Sequence, residues 1–241
     1  MSQHPSPDPL ILHLETSGHA CSVALAENGE MLSFREQITS NYSHAEVLSG
    51  FIREVIEEAG KVYVDVNAVA LGMGPGSYTG LRIGTATAKG LCFALDIPLI
   101  GMTTTDIMVQ SYLESMPSDK WGTKTWLCPM LDARRMEVFA AVYDVGGNLV
   151  REVQAEVVDE DTYRPWLDKG PVIFFGDGAP KCREVLGGYH NTHIEEGHYP
   201  LARHMVKECL GLYRSASYLD LAYFEPLYAK EFQSKKARKL L

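Results

Sequence analysis

The stretch that decides the fold is residues 72–84, GMGPGSYTGLRIG. The residues just before it, 68–71, are apolar and read as a strand. Those after it, 81–95, carry apolar residues at helical spacing. A strand, a glycine loop and a helix can aim backbone N–H groups at an anion. The loop is not a Walker A cradle, because no Lys follows its last glycine, and its spacing is a poor dinucleotide fingerprint. Gly76, Gly80 and Gly84 fall four apart, and Ala88 continues the row. Small residues in such a row let another backbone approach closely. Two readings therefore stand side by side: contact with a ligand through Gly74, Gly76 and Ser77, or tight packing and docking.

Working outward, the chain opens with three strands at 10–15, 20–26 and 30–35. Asn28-Gly29 joins the last two, and this pair is a strong hairpin signal because both turn positions need positive φ. A helix follows over 43–59. Ser43 and Glu46 make a capping box, and Val47-Leu48, Phe51-Ile52 and Val55-Ile56 form a broad apolar stripe. The loop helix is followed by a strand at 97–101. Three antiparallel strands, then helix, strand, helix, strand, is the order of an RNase-H-like α/β unit with a mixed sheet.

Past residue 104 the pattern partly repeats. Residues 126–132, WLCPMLD, are a strand ending in an acid, as LILHLE is at 10–15. Strands at 137–143 and 149–156 flank a Gly146-Gly147-Asn148 turn. After a short helix near 161–169, a strand at 171–175 runs into Gly176-Asp177-Gly178, with helices near 179–186 and 201–214. The predicted organisation is an N-terminal domain over 8–105, a C-terminal domain over 106–216 with 106–125 as the connection, and a terminal segment over 217–241. The fold class is α/β: two RNase-H-like halves of the actin-like ATPase kind, each a mixed sheet flanked by helices.

Composition bounds the function. The chain has 241 residues, 46% of them hydrophobic and 22% charged, with a formal net charge of -9. That is a globular composition with an acidic surface, which repels phosphates. The last twelve residues reverse the sign, with Lys230, Lys235, Lys236, Arg238 and Lys239 against Glu231. They read either as a solvated terminus or as a basic arm for a partner or an RNA. The five cysteines are scattered and form no C-x-x-C pair, so neither a disulfide framework nor a zinc site is expected. The leader MSQHPSPDP is not a signal peptide, and no apolar run reaches membrane-spanning length. A cytoplasmic protein that does not engage a membrane is expected.

The remaining chemistry is sparse. Glu15 and Asp132 end the first strands of the two halves, where paired carboxylates can hold Mg²⁺ through water; the alternative is a carboxylate that accepts turn N–H groups. No two histidines sit four apart on a helix. His190 and His193 are read as solvent-facing residues of a loop, and no metal is expected. Ser77 is not in a nucleophile elbow, so no catalytic residue is assigned.

The blocks LHLETSGHACSVAL, Ser43-His44-Ala45-Glu46, GMGPGSYTGLRIGTATAKGL, Leu131-Asp132-Ala133-Arg134 with Glu137-Val138-Phe139, and Glu225-Pro226-Leu227-Tyr228 run in order along nearly the whole chain. They resemble the bacterial TsaB (YeaZ) family of tRNA threonylcarbamoyladenosine biosynthesis. The resemblance implies an accessory subunit without catalysis of its own, which docks onto the catalytic TsaD-type subunit and works with a TsaE-type ATPase. It would reach tRNA indirectly through the complex, and a homodimer is expected in isolation. No cofactor is expected on the chain itself, with ATP or ADP at the complex interface. The docking layer it implies is the two helices of the first half, with His44, Glu46, Leu48, Phe51, Gly80, Arg82, Gly84, Thr87, Ala88 and Leu91 at the interface. Glu15, Thr16, Gly74, Gly76, Ser77, Asp132 and Arg134 are the ligand or cleft candidates. The family's opening motif is usually Asp-Thr; here it is Glu15-Thr16-Ser17, which weakens nucleotide hydrolysis. The rival reading is an actin-like ATPase or small-molecule kinase acting alone.

Overall fold

The computed structural model describes residues 6–38, 44–116 and 120–229. Two five-stranded mixed sheets form two lobes. The first is built from β1 (Leu10–Glu15), β2 (Ala20–Glu27), β3 (Glu30–Ile38), β4 (Ala68–Gly72) and β5 (Leu99–Met102), in the order β3-β2-β1-β4-β5. Its hairpins are antiparallel, and β1–β4 and β4–β5 are parallel. The second is built from β6 (Trp126–Asp132), β7 (Glu137–Asp144), β8 (Leu149–Val157), β9 (Val172–Phe175) and β10 (Thr192–Glu195), in the order β10-β9-β6-β7-β8. Strand for strand it repeats the first, including the two parallel pairs. This is the duplicated actin-like architecture.

Alternation along the strands divides the first core in two. Leu10, Leu12 and Leu14 of β1, with Val69 and Leu71 of β4, pack under α1 (His44–Glu58) and α2 (Tyr78–Leu95). The opposite face is lined by smaller side chains, Ala24, Ala68 and Ala70, and receives α6 (Val206–Arg214) through Cys209 and Tyr213. Chain order alone assigns 201–214 to the second half, but packing puts it on the first sheet. Ala68 and Ala70 leave room there for Met205 and Tyr213.

Residues 106–125, read as a connection, contain most of α3 (Thr104–Ser115). Thr103 caps it, its hydroxyl accepting the Asp106 N–H at 3.1 Å. Its sequence shows no single apolar stripe because it is wedged between the lobes. Ile107 faces the first sheet, while Met108, Val109 and Tyr112 face the second. The short helices α4 (Arg164–Leu167) and α5 (Arg183–Leu186) cover the outside of the second sheet through Leu167 and Leu186. Strand β10 was missed in the sequence: His193 lies on it, half-buried, with its ring centroid 4.7 Å from that of Trp121, rather than in a solvent-facing loop. His190 does sit in the exposed approach to that strand. The hairpin at Asn28-Gly29 has φ of 51° and 86°, as its sequence requires.

Candidate docking face and inter-lobe cleft

The segment 72–84 ends β4 and opens α2. Ser77 is the N-cap, its hydroxyl accepting the Gly80 N–H at 3.3 Å. The loop's close approaches are all to this chain. The Ser77 N–H donates to the Ser17 carbonyl at 2.7 Å, so it is not presented to an anion. A Cβ on Gly76 would fall 2.3 Å from the same carbonyl oxygen, and one on Gly74, where φ is +103°, would fall 2.8 Å from the Leu227 carbonyl. The phosphate-cradle reading yields to tight packing.

The small-residue row also turns inward. Gly80, Gly84 and Ala88 are buried. A Cβ on Gly80 would meet the Thr16 carbonyl oxygen at 2.0 Å, and one on Gly84 would meet Thr16 Oγ1 at 2.3 Å. Thr16 Oγ1 donates to the Gly80 carbonyl at 2.8 Å. The row therefore lets α2 sit on the β1–β2 turn and is not surface for another subunit. His44 and Leu48 are buried as well. His44 Nε2 lies 3.0 Å from the Gly18 carbonyl, and burial lowers the His44 pKa. Phe51 and Leu91 are half-buried against the core, and Thr87 is half-buried. Of the residues implied for docking, Glu46 and Arg82 are exposed.

The outward face of α2 carries a different stripe: Arg82, Ala86, Gly90 and Phe93. Phe93 is 82% exposed. A Cβ on Gly90 would meet nothing within 4 Å. The sequence signal was present in this second small-residue row, one helical face away from the row of glycines.

The cleft residues assemble around the β1–β2 turn. Glu15 is fully buried, and burial pushes its carboxyl up to about 7. One carboxylate oxygen accepts the Ser17 N–H at 2.5 Å, and the other has no hydrogen-bond partner and faces Gly72. Asp132, in contrast, is exposed. Its Oδ1 accepts the Arg134 N–H at 2.8 Å and is bonded by Lys181 Nζ. The two acids are thus not a matched pair: one is sealed off and the other is held by a lysine.

Three residues that sequence reasoning did not single out complete the cleft. Asp177 Oδ1 accepts the Asp132 N–H at 2.9 Å, and burial raises its pKa. His19 Nε2 lies 3.7 Å from Asp177 Oδ2, joining the first lobe to the second. Lys181 Nζ also donates to the Glu137 carbonyl at 2.6 Å. The turn Gly176-Asp177-Gly178 was visible as the second strand-to-glycine junction, and its position against β6 follows only from sheet pairing. The cavity beside Asp177 measures about 90 Å³, well below the ~300–1,000 Å³ of small-molecule sites. Nothing here fits Mg²⁺ held by Glu15, since that carboxylate is closed to water. Among the described residues no helix is long and apolar enough to cross a membrane.

The remaining feature is a strap. Residues 217–229 return to the first lobe after α6. The Leu219 N–H donates to the Leu99 carbonyl at 2.8 Å, Lys89 Nζ donates to the Phe224 carbonyl at 2.7 Å, and the Leu227 N–H donates to the Met73 carbonyl at 2.7 Å. The Tyr228 ring lies 5.1 Å from that of Tyr78. The Glu225-Pro226-Leu227-Tyr228 block is the part that closes over the glycine loop.

Known proteins agree with this arrangement. The family model TsaD, tRNA N6-adenosine threonylcarbamoyltransferase, matches residues 8–173. The Escherichia coli (strain K12) tRNA threonylcarbamoyladenosine biosynthesis protein TsaB is 33% identical over 228 residues, covering 91% of this chain and 94% of that protein. The Bacillus subtilis (strain 168) protein of the same name is 27% identical over 73% of this chain and 74% of its own length. Among solved structures, YeaZ from Pseudomonas aeruginosa superposes with a TM-score of 0.76 at 26% identity, covering 91% of this chain and 99% of that one. A duplicated sheet whose α2 is locked onto its own β1–β2 turn by glycines, matched nearly end to end by these relatives, places the chain in the TsaB family.

Proposed function

We propose that this chain is a non-catalytic partner subunit in tRNA threonylcarbamoyladenosine biosynthesis, docking onto a TsaD-type catalytic subunit through the outward face of α2. The observation that carries the reading is the near-full-length match to a relative named for that pathway. The geometry supports it. Arg82, Ala86, Gly90 and Phe93 offer an arginine, an exposed ring and two small residues that admit a close helix. Glu46, in the first turn of α1, is exposed as well.

A TsaE-type ATPase completes the working complex, and the same face pairs two copies of the chain in isolation. ATP or ADP belongs at the interface with the partner, because this chain's own cleft holds its carboxylates away from a metal. That separation is also why an actin-like ATPase or kinase acting alone is disfavoured. The test is copurification with the TsaD-type subunit followed by a tRNA-modification assay. Full modification by the TsaD- and TsaE-type proteins without this chain would sink the reading.

A further inference from the structure

We infer that Glu15 is a proton-operated latch on the docking helices: its neutral carboxyl fixes the β1–β2 turn on which α1 and α2 are seated, and loss of its proton loosens α2 and weakens docking. The latch stands on the geometry of the turn. Its consequence for docking rests on the TsaD-type partner proposed above.

Each residue of the turn holds something. Glu15 Oε1 accepts the Ser17 N–H. The Ser17 carbonyl accepts the N–H of Ser77, the N-cap of α2. Thr16, between them, donates through Oγ1 to the Gly80 carbonyl and fills the space that Gly80 and Gly84 leave open. The Gly18 carbonyl meets His44 Nε2 at the first residue of α1. Four consecutive residues, beginning with a fully buried carboxyl, thus anchor both helices.

The carboxyl itself is closed in. Oε2 is buried without a hydrogen-bond partner and lies where a Cβ on Gly72 would fall, 1.7 Å away. A neutral acid tolerates such a place, whereas an anion there lacks solvation and must be relieved by movement. The strands cannot supply it, because β1 is paired on both edges, through Glu15↔Ser22 and Leu14↔Leu71. What is left to move is the turn at 16–18, and α2 moves with it.

The ionisable groups around Glu15 leave it as the group that opens the latch. Cys21 on β2 interacts with it electrostatically, and burial holds that thiol up to about 12. His13 on β1 is lowered to about 4 by desolvation. β4 is AVALG and carries no charge. Burial also lowers His44 of α1. Asp106 of α3 bonds Thr103 and Tyr143. In residues 202–205, Arg203 pairs with Glu36 and His204 with Glu114. Across the cleft, His19 faces Asp177, which burial raises.

The experiment titrates the TsaD-type subunit into the full chain at pH 6 and pH 8, with Glu15→Gln beside wild type. Glu15→Gln keeps every other ionisable group, so its difference from wild type isolates this carboxyl. With a midpoint of about 7, the neutral fraction falls from about nine-tenths to about one-tenth, and wild-type affinity should fall by about tenfold. The affinity of Glu15→Gln should change by less than about twofold over the same range. A second readout needs no partner: hydrogen exchange of the Gly80 and Leu81 amides, corrected for the intrinsic effect of pH. Their protection should drop at pH 8 in wild type and hold in Glu15→Gln, with thermal melts showing that both chains remain folded. The latch is overturned if wild type and Glu15→Gln share one pH profile of affinity, or one of α2 protection. Absence of association at either pH strikes the docking reading instead, and the exchange of the isolated chain then decides the latch.

Discussion

At the scale of single residues, Glu15 and Gly72 explain each other. A Cβ on Gly72 would fall 1.7 Å from Glu15 Oε2, so the end of β4 must be glycine for the buried carboxyl to fit. Gly72→Ala should cost roughly 3 kcal/mol of stability by overpacking a site that cannot yield, read by denaturant unfolding. The carboxyl also sets a pH dependence. Its folded value of about 7 lies above the unfolded value near 4.5, so the folded state binds the extra proton. The associated stability is fully present below about pH 4.5 and is lost as pH rises through about 7, an effect of up to about 3 kcal/mol. Glu15→Gln should therefore raise the melting temperature at pH 8 relative to wild type much more than at pH 5. Parallel melting curves at the two pH values would show that Glu15 does not titrate in this window. Buried His13, lowered to about 4 by desolvation, acts with the opposite sign: its contribution is present above about 6.5 and lost as pH falls toward 4. Both proteins in the comparison keep His13, so the difference between them isolates Glu15.

At the scale of elements, α2 is a helix with two rows of small residues in two different environments. The inner row meets backbone: Gly80→Ala places a methyl 2.0 Å from the Thr16 carbonyl and should destabilise by about 2 kcal/mol or more. The outer row meets nothing. Gly90→Ala should stabilise by roughly 0.5–1 kcal/mol through helix propensity alone. Chemical denaturation of both variants gives the contrast, and two changes of the same sign would contradict the assigned faces. The docking face proposed above is the outer row. Phe93→Glu should leave the melting temperature within about 2 °C, since the ring is 82% exposed, yet reduce affinity for a TsaD-type subunit at least tenfold. Calorimetric titration against that subunit decides it.

At the scale of the whole molecule, the two lobes are held by what runs between them. α3 contributes side chains to both cores, and Tyr143 of the second sheet donates to Asp106 of that helix at 2.8 Å. α6 and the strap carry the chain back onto the first sheet, where Leu219, Leu221 and Phe224 pack against its main cluster. Truncation after residue 216 removes these three half-buried side chains and the Leu219–Leu99 bridge. The melting temperature should fall by roughly 4–16 °C, for a loss on the order of 2–4 kcal/mol. Scanning calorimetry of the truncated chain against the full chain reads the contribution of the strap.

Local signals in the sequence were sufficient for the repeat and for the family. Asn28-Gly29 dictated a hairpin through its φ requirement, the acid-ended strands LILHLE and WLCPMLD marked the start of each lobe, and the 72–84 segment carried enough fixed positions to identify relatives. These are short-range properties, set by backbone conformation and by the period of burial along one element. The basic tail, read either as a solvated terminus or as an arm for a partner or an RNA, and Ser43, read as a helix cap, lie outside the described residues. What the tertiary structure alone decided is which side of each element meets which neighbour. Gly80, Gly84 and Ala88 could have faced another subunit, and a row of small residues looks the same whether the approaching backbone belongs to Thr16 or to a partner. α3 showed no stripe because it is buried on two sides, and α6 changed lobes because Ala68 and Ala70 made room on the far face of the first sheet. Periodicity along a chain encodes how much of an element is covered. The identity of the covering surface is a long-range matter, settled when the two sheets and the strap close around the Thr16–His19 turn.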